Sequence, residues 1–139
     1  MKLRTSSPEI QDYLHTRLQQ YNAEYMTDCR DYSFHIEKDG KVMAGIVAES
    51  TGDTLEVAFL FVEEAARGQG LGSRLLAEVE ARAQADGLRR VLLNTYSFQA
   101  PGFYLKAGYR RLFAIDPCFC AHSQHFFIKE LQQHTGSAQ

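Results

Sequence analysis

Three glycines at alternate positions, Gly68, Gly70 and Gly72, constrain the fold of this chain more than any other feature. They separate an apolar stretch, 57–62, from an amphipathic stretch, 71–85, so the local order is strand, glycine-rich loop and helix. The first backbone N–H groups of a helix have no partner within it, and the helix dipole adds a partial positive charge there. Glycines let the backbone approach a ligand closely. The sequence therefore predicts a site for a phosphate or pyrophosphate group at this helix start.

Two common phosphate-binding patterns do not fit this loop. A P-loop requires Gly-x-x-x-x-Gly-Lys followed by Ser or Thr, and the chain contains no such run. A dinucleotide-binding Gly-x-Gly-x-x-Gly would place its third glycine at Ser73 or at Leu75, and the acidic residue expected about 20 positions further on is absent. A third pattern, Arg/Gln-x-x-Gly-x-Gly/Ala, fits residues 67–72.

A second motif follows one helix and one strand later. Residues 100–109 read Ala-Pro-Gly-Phe-Tyr-Leu-Lys-Ala-Gly-Tyr. With both motifs in this order, the chain resembles the GNAT family, the GCN5-related N-acetyltransferases. The resemblance runs from about Val42 to Leu131 and is densest from Leu60 to Tyr109. It implies an α/β fold with a mixed, mostly antiparallel sheet of six to seven strands and helices on both faces.

The pattern of apolar residues is compatible with that fold. Ser7 and Pro8 are suited to begin a helix, whose residues Ile10, Leu14 and Leu18 share one face. Strands and helices then alternate, which favours a mixed sheet. The predicted later elements are strands at 32–38, 41–49, 54–62 and from 91, helices at 71–85 and 101–108, and final strands at 110–115 and 125–131.

Composition narrows the class of protein. At 139 residues we expect one domain, 1–133, with a short disordered tail at 134–139. The net charge of −2 gives no field that would recruit nucleic acid or an anionic membrane. No apolar run approaches the ~20 residues of a membrane span, and the first residues lack the apolar segment of a signal peptide. These features favour the cytoplasm.

The resemblance implies acetyl-CoA as cosubstrate and assigns its contacts. The loop would bind the pyrophosphate through backbone N–H groups, and the end of the preceding strand would polarise the thioester carbonyl. Ser97 stands where the family often has asparagine, so a coenzyme contact is expected there. The implied coenzyme-binding residues are Phe61, Val62, Arg67, Gly68, Gln69, Gly70, Leu71, Gly72, Ser73, Ser97 and Tyr104.

The resemblance also implies two catalytic side chains. Tyr104 aligns with the tyrosine that faces the coenzyme sulfur, and a phenol can protonate a departing thiolate. Glu56, six residues before Val62, matches by position a glutamate that acts as base in one branch of the family. Ordered water is the alternative route for the amine proton.

The predicted activity is transfer of an acetyl group to a primary amine by direct attack in a ternary complex. No cysteine lies near the motif to hold a covalent acetyl group. A non-catalytic acyl-CoA sensor and an interaction domain on the same fold are the alternatives. The acceptor stays open between a small-molecule amine and a peptide or protein amine, and a homodimer is compatible with the family.

A cluster of metal-ligating residue types lies near the end of the chain. Cys118, Cys120, His122 and His125 fall within eight residues, and in a strand the first three would share a face. Their spacing matches no common zinc pattern, so no metal is expected. The preferred interpretation is two small strand residues followed by a polar turn, and the resemblance places this segment at the acceptor mouth.

Overall fold

The computed structural model describes residues 1–132, so the tail predicted at 134–139 lies outside the described residues. Within that range, no helix is long and apolar enough to cross a membrane. The elements are α1 (Pro8–Asn22), β1 (Cys29–Asp31), β2 (Phe34–Lys38), β3 (Lys41–Thr51), β4 (Thr54–Val62), a 3-10 turn (Glu64–Ala66), α2 (Leu71–Ala85), β5 (Arg90–Tyr96), α3 (Pro101–Lys106), β6 (Arg110–Cys118) and β7 (His122–Glu130).

The strands form one 7-stranded mixed sheet in the order β1-β3-β4-β5-β7-β6, with β2 also pairing with β3. Only β4 and β5 run parallel, and the other pairs are antiparallel. A mixed, mostly antiparallel sheet of this size confirms the expected fold class. The parallel pair, β4 and β5, lies at the centre of the sheet.

The strand predicted at 32–38 is wrong in detail, since residues 29–38 form two short strands instead of one. The interruption falls at Ser33, whose hydroxyl accepts the N–H of Ala48 at 3.2 Å. The N–H of Tyr32 donates to the carbonyl of the same residue, Ala48, at 2.9 Å. A side-chain hydroxyl thus replaces one backbone partner in the ladder, and the strand breaks there.

The hydrophobic core lies on one face of the sheet, beneath α2 and α3. Alternate residues of β3, including Ala44, Ile46 and Ala48, point to this face. They pack with Leu76 and Val79 of α2. The rest of the core is Tyr32, Leu55, Val57, Leu75, Ala83, Leu88, Val91, Leu93, Tyr104, Tyr109, Phe127 and Leu131.

The opposite face of the sheet carries exposed apolar side chains. Where a helix layer was expected on both faces, α2 and α3 cover one, and no residue of α1 is buried. Helix α1 is nevertheless well formed, with the Ser7 hydroxyl accepting the N–H of Ile10 at 3.3 Å as its N-cap. We refer below to the uncovered surface as the open face, defined by Val47, Phe59, Phe61, Phe113 and Ile115.

Candidate functional site

Strands β4 and β5 separate from one another and leave a cleft in the sheet. Their parallel pairing covers only residues 54–56 and 90–92. Beyond it Ala58 has no partner on β3, a bulge that bends β4 away. The cleft has a volume of about 600 Å³ and is lined by Ala58, Phe59, Leu60, Phe61, Val62, Arg67, Gly72, Asn94, Thr95, Tyr96, Phe98, Gln99, Ala100, Phe103 and Tyr104.

This cleft passes through the sheet from one face to the other. Gly72, Phe103 and Tyr104 line it on the side of the helices, where Tyr104 is part of the core. Phe59 and Phe61 line it on the open face, where they are 60% and 52% exposed. Two molecules could therefore enter from opposite sides and meet between the strands.

The glycine-rich loop supplies an unpaired row of backbone donors at one end of the cleft. Within residues 1–132, none of the six amide N–H groups from Gly68 to Ser73 has a hydrogen-bond acceptor, and the first helical bond is made by Arg74 to the Gly70 carbonyl at 3.0 Å. Gly68 and Gly70 have φ of 81° and 76°, a region that favours glycine. No side chain caps α2. Six free donors at a helix N-terminus suit an anionic group such as a pyrophosphate.

Gly72 keeps space open beside that row. A Cβ atom built on it would lie 3.6 Å from the Phe103 ring and 3.7 Å from Val62, which is ordinary contact. The protein itself therefore does not require glycine here. The absence of a side chain leaves room at the cleft wall, which fits a ligand lying close to the backbone.

Arg67 joins the loop to the end of β4. Its Nε donates to the Val62 carbonyl at 3.0 Å, and its guanidinium lies 5.9 Å from the centre of the Phe61 ring. The N–H of Glu63 donates to Met43 on β3 at 2.9 Å. Because N–H groups alternate in direction along a strand, the N–H of Val62 points away from β3 and toward the cleft. Of the two strand-end residues expected from sequence, Val62 presents its amide to the cleft.

Tyr104 lines the cleft from α3 and is 7% exposed. Its ring packs against Tyr109 and Phe127, with centroids 5.8 and 6.0 Å away. Within the described chain its hydroxyl makes no hydrogen bond. Burial raises the pKa of this phenol above 10.0, so it holds its proton at neutral pH. A buried ring with a free, protonated hydroxyl can donate a proton to a group in the cleft.

Glu56 lies at the point where β4 and β5 part. It is exposed and pairs with Leu92 on β5 and with Glu49 on β3. Its neighbours Leu55 and Val57 point into the core, so the Glu56 carboxylate faces away from the helices. Glu56 is not among the residues that line the cleft, and its carboxylate lies on the open-face side of the sheet.

Ser97 is placed elsewhere than its expected coenzyme contact suggests. Its N–H donates to the Ser123 carbonyl at 2.9 Å and its hydroxyl accepts the Ser123 N–H at 3.0 Å. These bonds join the end of β5 to β7, and Ser97 does not line the cleft. A coenzyme contact at Ser97 stays a prediction.

Three polar residues of the cleft lining were not predicted from the sequence: Asn94, Thr95 and Gln99. Asn94 lines the cleft from β5, and Gln99 from the loop that follows. The Gln99 side-chain carbonyl accepts the N–H of Tyr96 at 2.9 Å and the hydroxyl of Thr95 at 3.0 Å, which fixes the loop. Asn94 alternates with the buried residues Leu93 and Thr95, and this alternation was the one feature of the sequence that indicated where its side chain points.

The cysteine and histidine residues near the end of the chain do not share a strand face as considered. Cys120 lies in the turn between β6 and β7 with φ of 71°, and Cys118 pairs with His122 across that turn. The His125 Nε2 lies 2.8 Å from the Ser123 hydroxyl. Among residues 1–132, no three side chains of His, Cys, Asp or Glu come together to hold a metal ion.

An aromatic cluster forms at the mouth of the cleft. Tyr96 stacks on Phe98, with centroids 5.5 Å apart and planes within 3°. Phe119, from the β6–β7 turn, meets the Tyr96 ring at 5.4 Å, and His122 meets Phe98 at 4.8 Å. Phe98 and Phe119 are each 62% exposed. These four residues are the aromatic mouth, and they present ring surface to anything that enters beside β5.

Comparisons with known proteins agree with this architecture. Residues 3–109 match the acetyltransferase (GNAT) family. The chain is 41% identical over 93 residues to a blasticidin-S acetyltransferase of Streptomyces morookaense, covering 66% of this chain and 68% of that protein. It is 33% identical to an acetyltransferase of Agrobacterium fabrum (strain C58), covering 66% and 67%. The crystal structure of an acetyltransferase from Bacillus cereus ATCC 14579 superposes with a TM-score of 0.79 at 34% identity, covering 94% and 98%. The chain therefore belongs to the GNAT family and is an acetyl-CoA-dependent acetyltransferase.

Proposed function

We propose that this protein transfers the acetyl group of acetyl-CoA to a primary amine by direct attack in a ternary complex. The observation that carries the proposal is the cleft through the sheet. It has the free amide row on the helix side and an open entrance on the other face. The two reactants can therefore be held together without a covalent intermediate on the protein.

The coenzyme side is formed largely by backbone groups. The amides from Gly68 to Ser73 would bind the pyrophosphate, with the Ser73 hydroxyl nearby and Gly72 leaving space. The gap between β4 and β5 would hold the pantetheine arm. When bound, acetyl-CoA supplies an activated thioester. The Val62 N–H would hydrogen-bond its carbonyl oxygen and stabilise the negative charge that develops there.

Two side chains would move protons. Tyr104 would give its proton to the departing thiolate, since burial keeps the phenol protonated at neutral pH. Glu56, on the opposite face, would take the proton from the attacking amine, either directly or through water. The acid and the base would thus act from opposite sides of the sheet.

The aromatic mouth indicates which amines fit. Tyr96, Phe98, Phe119 and His122 offer stacked and edge-on rings, which bind planar groups through their faces. The relative from Streptomyces morookaense is named for blasticidin-S. We therefore propose a small-molecule acceptor that carries its amine beside a planar or aromatic group, and blasticidin S belongs in a first panel of amines.

Replacing the proposed acid tests the function. Tyr104→Phe should lower kcat about 100-fold and leave acetyl-CoA binding unchanged, because only the proton donor is removed. The measurement is release of coenzyme thiol with a panel of amines, beside calorimetric titration of acetyl-CoA. Tyr109→Phe is the matched control, since it removes a neighbouring buried hydroxyl that bonds Glu80.

The outcomes separate the alternatives. Unchanged kcat in Tyr104→Phe would contradict the acid role. Coenzyme binding without transfer to any amine would favour a sensor. Glu56→Gln should lower kcat if its carboxylate accepts the amine proton, whereas an unaltered pH profile would assign that step to water.

A further inference from the structure

Helix α1 exposes an apolar stripe that nothing among residues 1–132 covers. Ile10, Tyr13, Leu14, Leu18 and Tyr21 recur at helical spacing and are 49–65% exposed. An isolated helix of about 15 residues is marginal in water, and most helices depend on packing of one face. This helix therefore lacks the contact that would stabilise it.

The open face of the sheet is likewise uncovered by the part of the chain that the structure describes. Its five residues are 38–60% exposed. A groove of about 330 Å³ crosses it between β2, β3 and β4, with Gly45 among its lining residues and with walls that include Phe59 and Phe61. A row of apolar side chains beside a groove is the surface on which a helix packs in an α/β fold.

Backbone hydrogen bonds hold the segment between α1 and β1, residues 23–28, at both of its ends. The N–H groups of Tyr25 and Met26 both donate to the Asn22 carbonyl, at 2.8 and 2.7 Å. The N–H of Gly52, in the β3–β4 turn, lies 3.3 Å from two carbonyls of this segment. In this conformation no residue of α1 is buried.

We propose that α1 of one copy packs on the open face of a second copy, and that the exchange is reciprocal. Both surfaces belong to every chain, so the arrangement closes as a two-fold dimer in which each surface has a partner. Arg17 lies within the stripe of α1, and Glu49 and Glu56 lie on the open-face side of β3 and β4, so opposite charges are available across this interface.

The area is sufficient for a stable dimer. With the exposed fractions above, the stripe and the open face would together bury about 1,000 Å² of apolar side chain per chain. Two chains would bury about 2,000 Å², above the ~1,600 Å² of a typical specific interface.

The exchange would also complete the site. Phe59 and Phe61 belong both to the open face and to the cleft lining. A helix from the second copy would therefore form a wall on the side where the amine enters, a consequence that rests on the proposed function. The site of one copy would then depend on the α1 of the other.

Light scattering after gel filtration tests the dimer. We expect twice the chain mass of 15.8 kDa for the full chain. Leu14→Glu, in the stripe, should give monomers at the same concentration, while Gln19→Glu, the same charge on the polar side of α1, should stay dimeric. A monomeric wild-type chain would overturn the proposal, and so would a Leu14→Glu variant that stays dimeric.

Cross-linking distinguishes exchange from other dimers. In a chain with Cys29, Cys118 and Cys120 replaced by serine, Leu18→Cys and Val47→Cys place one thiol on α1 and one on the open face outside the cleft. A short bismaleimide should join two chains covalently. Cross-linked monomers would show α1 on its own sheet, and no product at all would place the interface elsewhere; both results contradict exchange. These readouts do not use acetyl transfer, so they stand or fall independently of the proposed activity.

Discussion

At Gly72 the packing of the protein tolerates a side chain, whereas the proposed ligand requires that none be present. Gly68 and Gly70 adopt positive φ values that favour glycine. A Cβ at Gly72 would meet only ordinary contacts, so the reason for glycine lies outside the protein's own packing. The spacing of the three glycines predicts an anion site at this loop, and the structure separates the two glycines that shape the loop from the one that leaves room beside it.

Gly72→Val should therefore weaken acetyl-CoA binding at least tenfold with little loss of stability. Its methyl groups would occupy the space between Val62 and Phe103 at the cleft wall. Isothermal titration and urea unfolding measure the two quantities. Gly102→Val, in α3 with nothing within 4 Å of its Cβ position, is the control for the helix cost of valine. Equal coenzyme affinity in both variants would show that Gly72 does not face the ligand.

Tyr109 makes stability depend on alkaline pH. Burial and the nearby Glu80 carboxylate raise the pKa of its phenol far above the ordinary 10.0. Below pH 10 both the folded and the unfolded chain keep this proton, so the contribution is fully present. Above pH 10 only the unfolded chain loses it, and the free energy of unfolding falls as pH rises, by about 1.4 kcal/mol per unit.

Tyr109→Phe should make that alkaline decline shallower. At pH 7 it should cost about 1.5 kcal/mol, because the hydrogen bond to the Glu80 carboxylate at 2.8 Å is lost. Urea unfolding at pH 7 and at pH 11 gives both values. Tyr25→Phe, on an exposed ring, serves as control. An unchanged pH slope in Tyr109→Phe would contradict the assignment.

At the scale of elements, a partly buried ion pair joins α2 to β7. Lys129 Nζ donates to Glu80 Oε1 at 2.7 Å and to the Ala107 carbonyl, just after α3, at 2.9 Å. The Glu80 side chain is 15% exposed, whereas Glu78, two residues earlier, is 50% exposed in its pair with Arg82. The same residue type thus occupies a partly buried and an exposed position on one helix.

Glu80→Gln should lower the free energy of unfolding by about 3 kcal/mol, since it leaves the Lys129 charge partly buried without its partner. Glu78→Gln should cost less than about 0.5 kcal/mol, because exposed pairs on helices contribute little. Chemical unfolding of the two variants under identical conditions compares them. Similar losses would mean that the network does not hold the helix layer to the sheet.

How far the elements follow from sequence depends on where their determinants lie. Ser7 caps α1 and α2 ends at Ala85, both as predicted, because caps and the positive φ of Gly87 just after α2 are local properties. The break at Ser33 was not predictable, since it depends on a bond to Ala48 fifteen residues away. Likewise Asn94 reaches the cleft only because β4 leaves β5, a separation that no pattern within β5 encodes.

At the scale of the whole molecule, the helical spacing of apolar residues in α1 predicts that this face packs against another surface. The spacing does not identify that surface. Exchange between copies makes folding depend on concentration. The melting temperature should rise by about 2 °C for each tenfold increase in protein, because association favours the folded dimer by mass action. Differential scanning fluorimetry over a hundredfold range checks this, with Leu14→Glu expected to show no dependence. A flat wild-type response would argue against a dimer coupled to folding.

The cleft that crosses the sheet has a kinetic consequence. With one entrance on the helix side and another on the open face, neither reactant lies in the path of the other. In the proposed ternary complex, either reactant would bind first, and the acetylated product would leave while the spent coenzyme stays in place. Initial-rate plots against both substrates should therefore intersect, and a dead-end analogue of either substrate should compete only with its own counterpart.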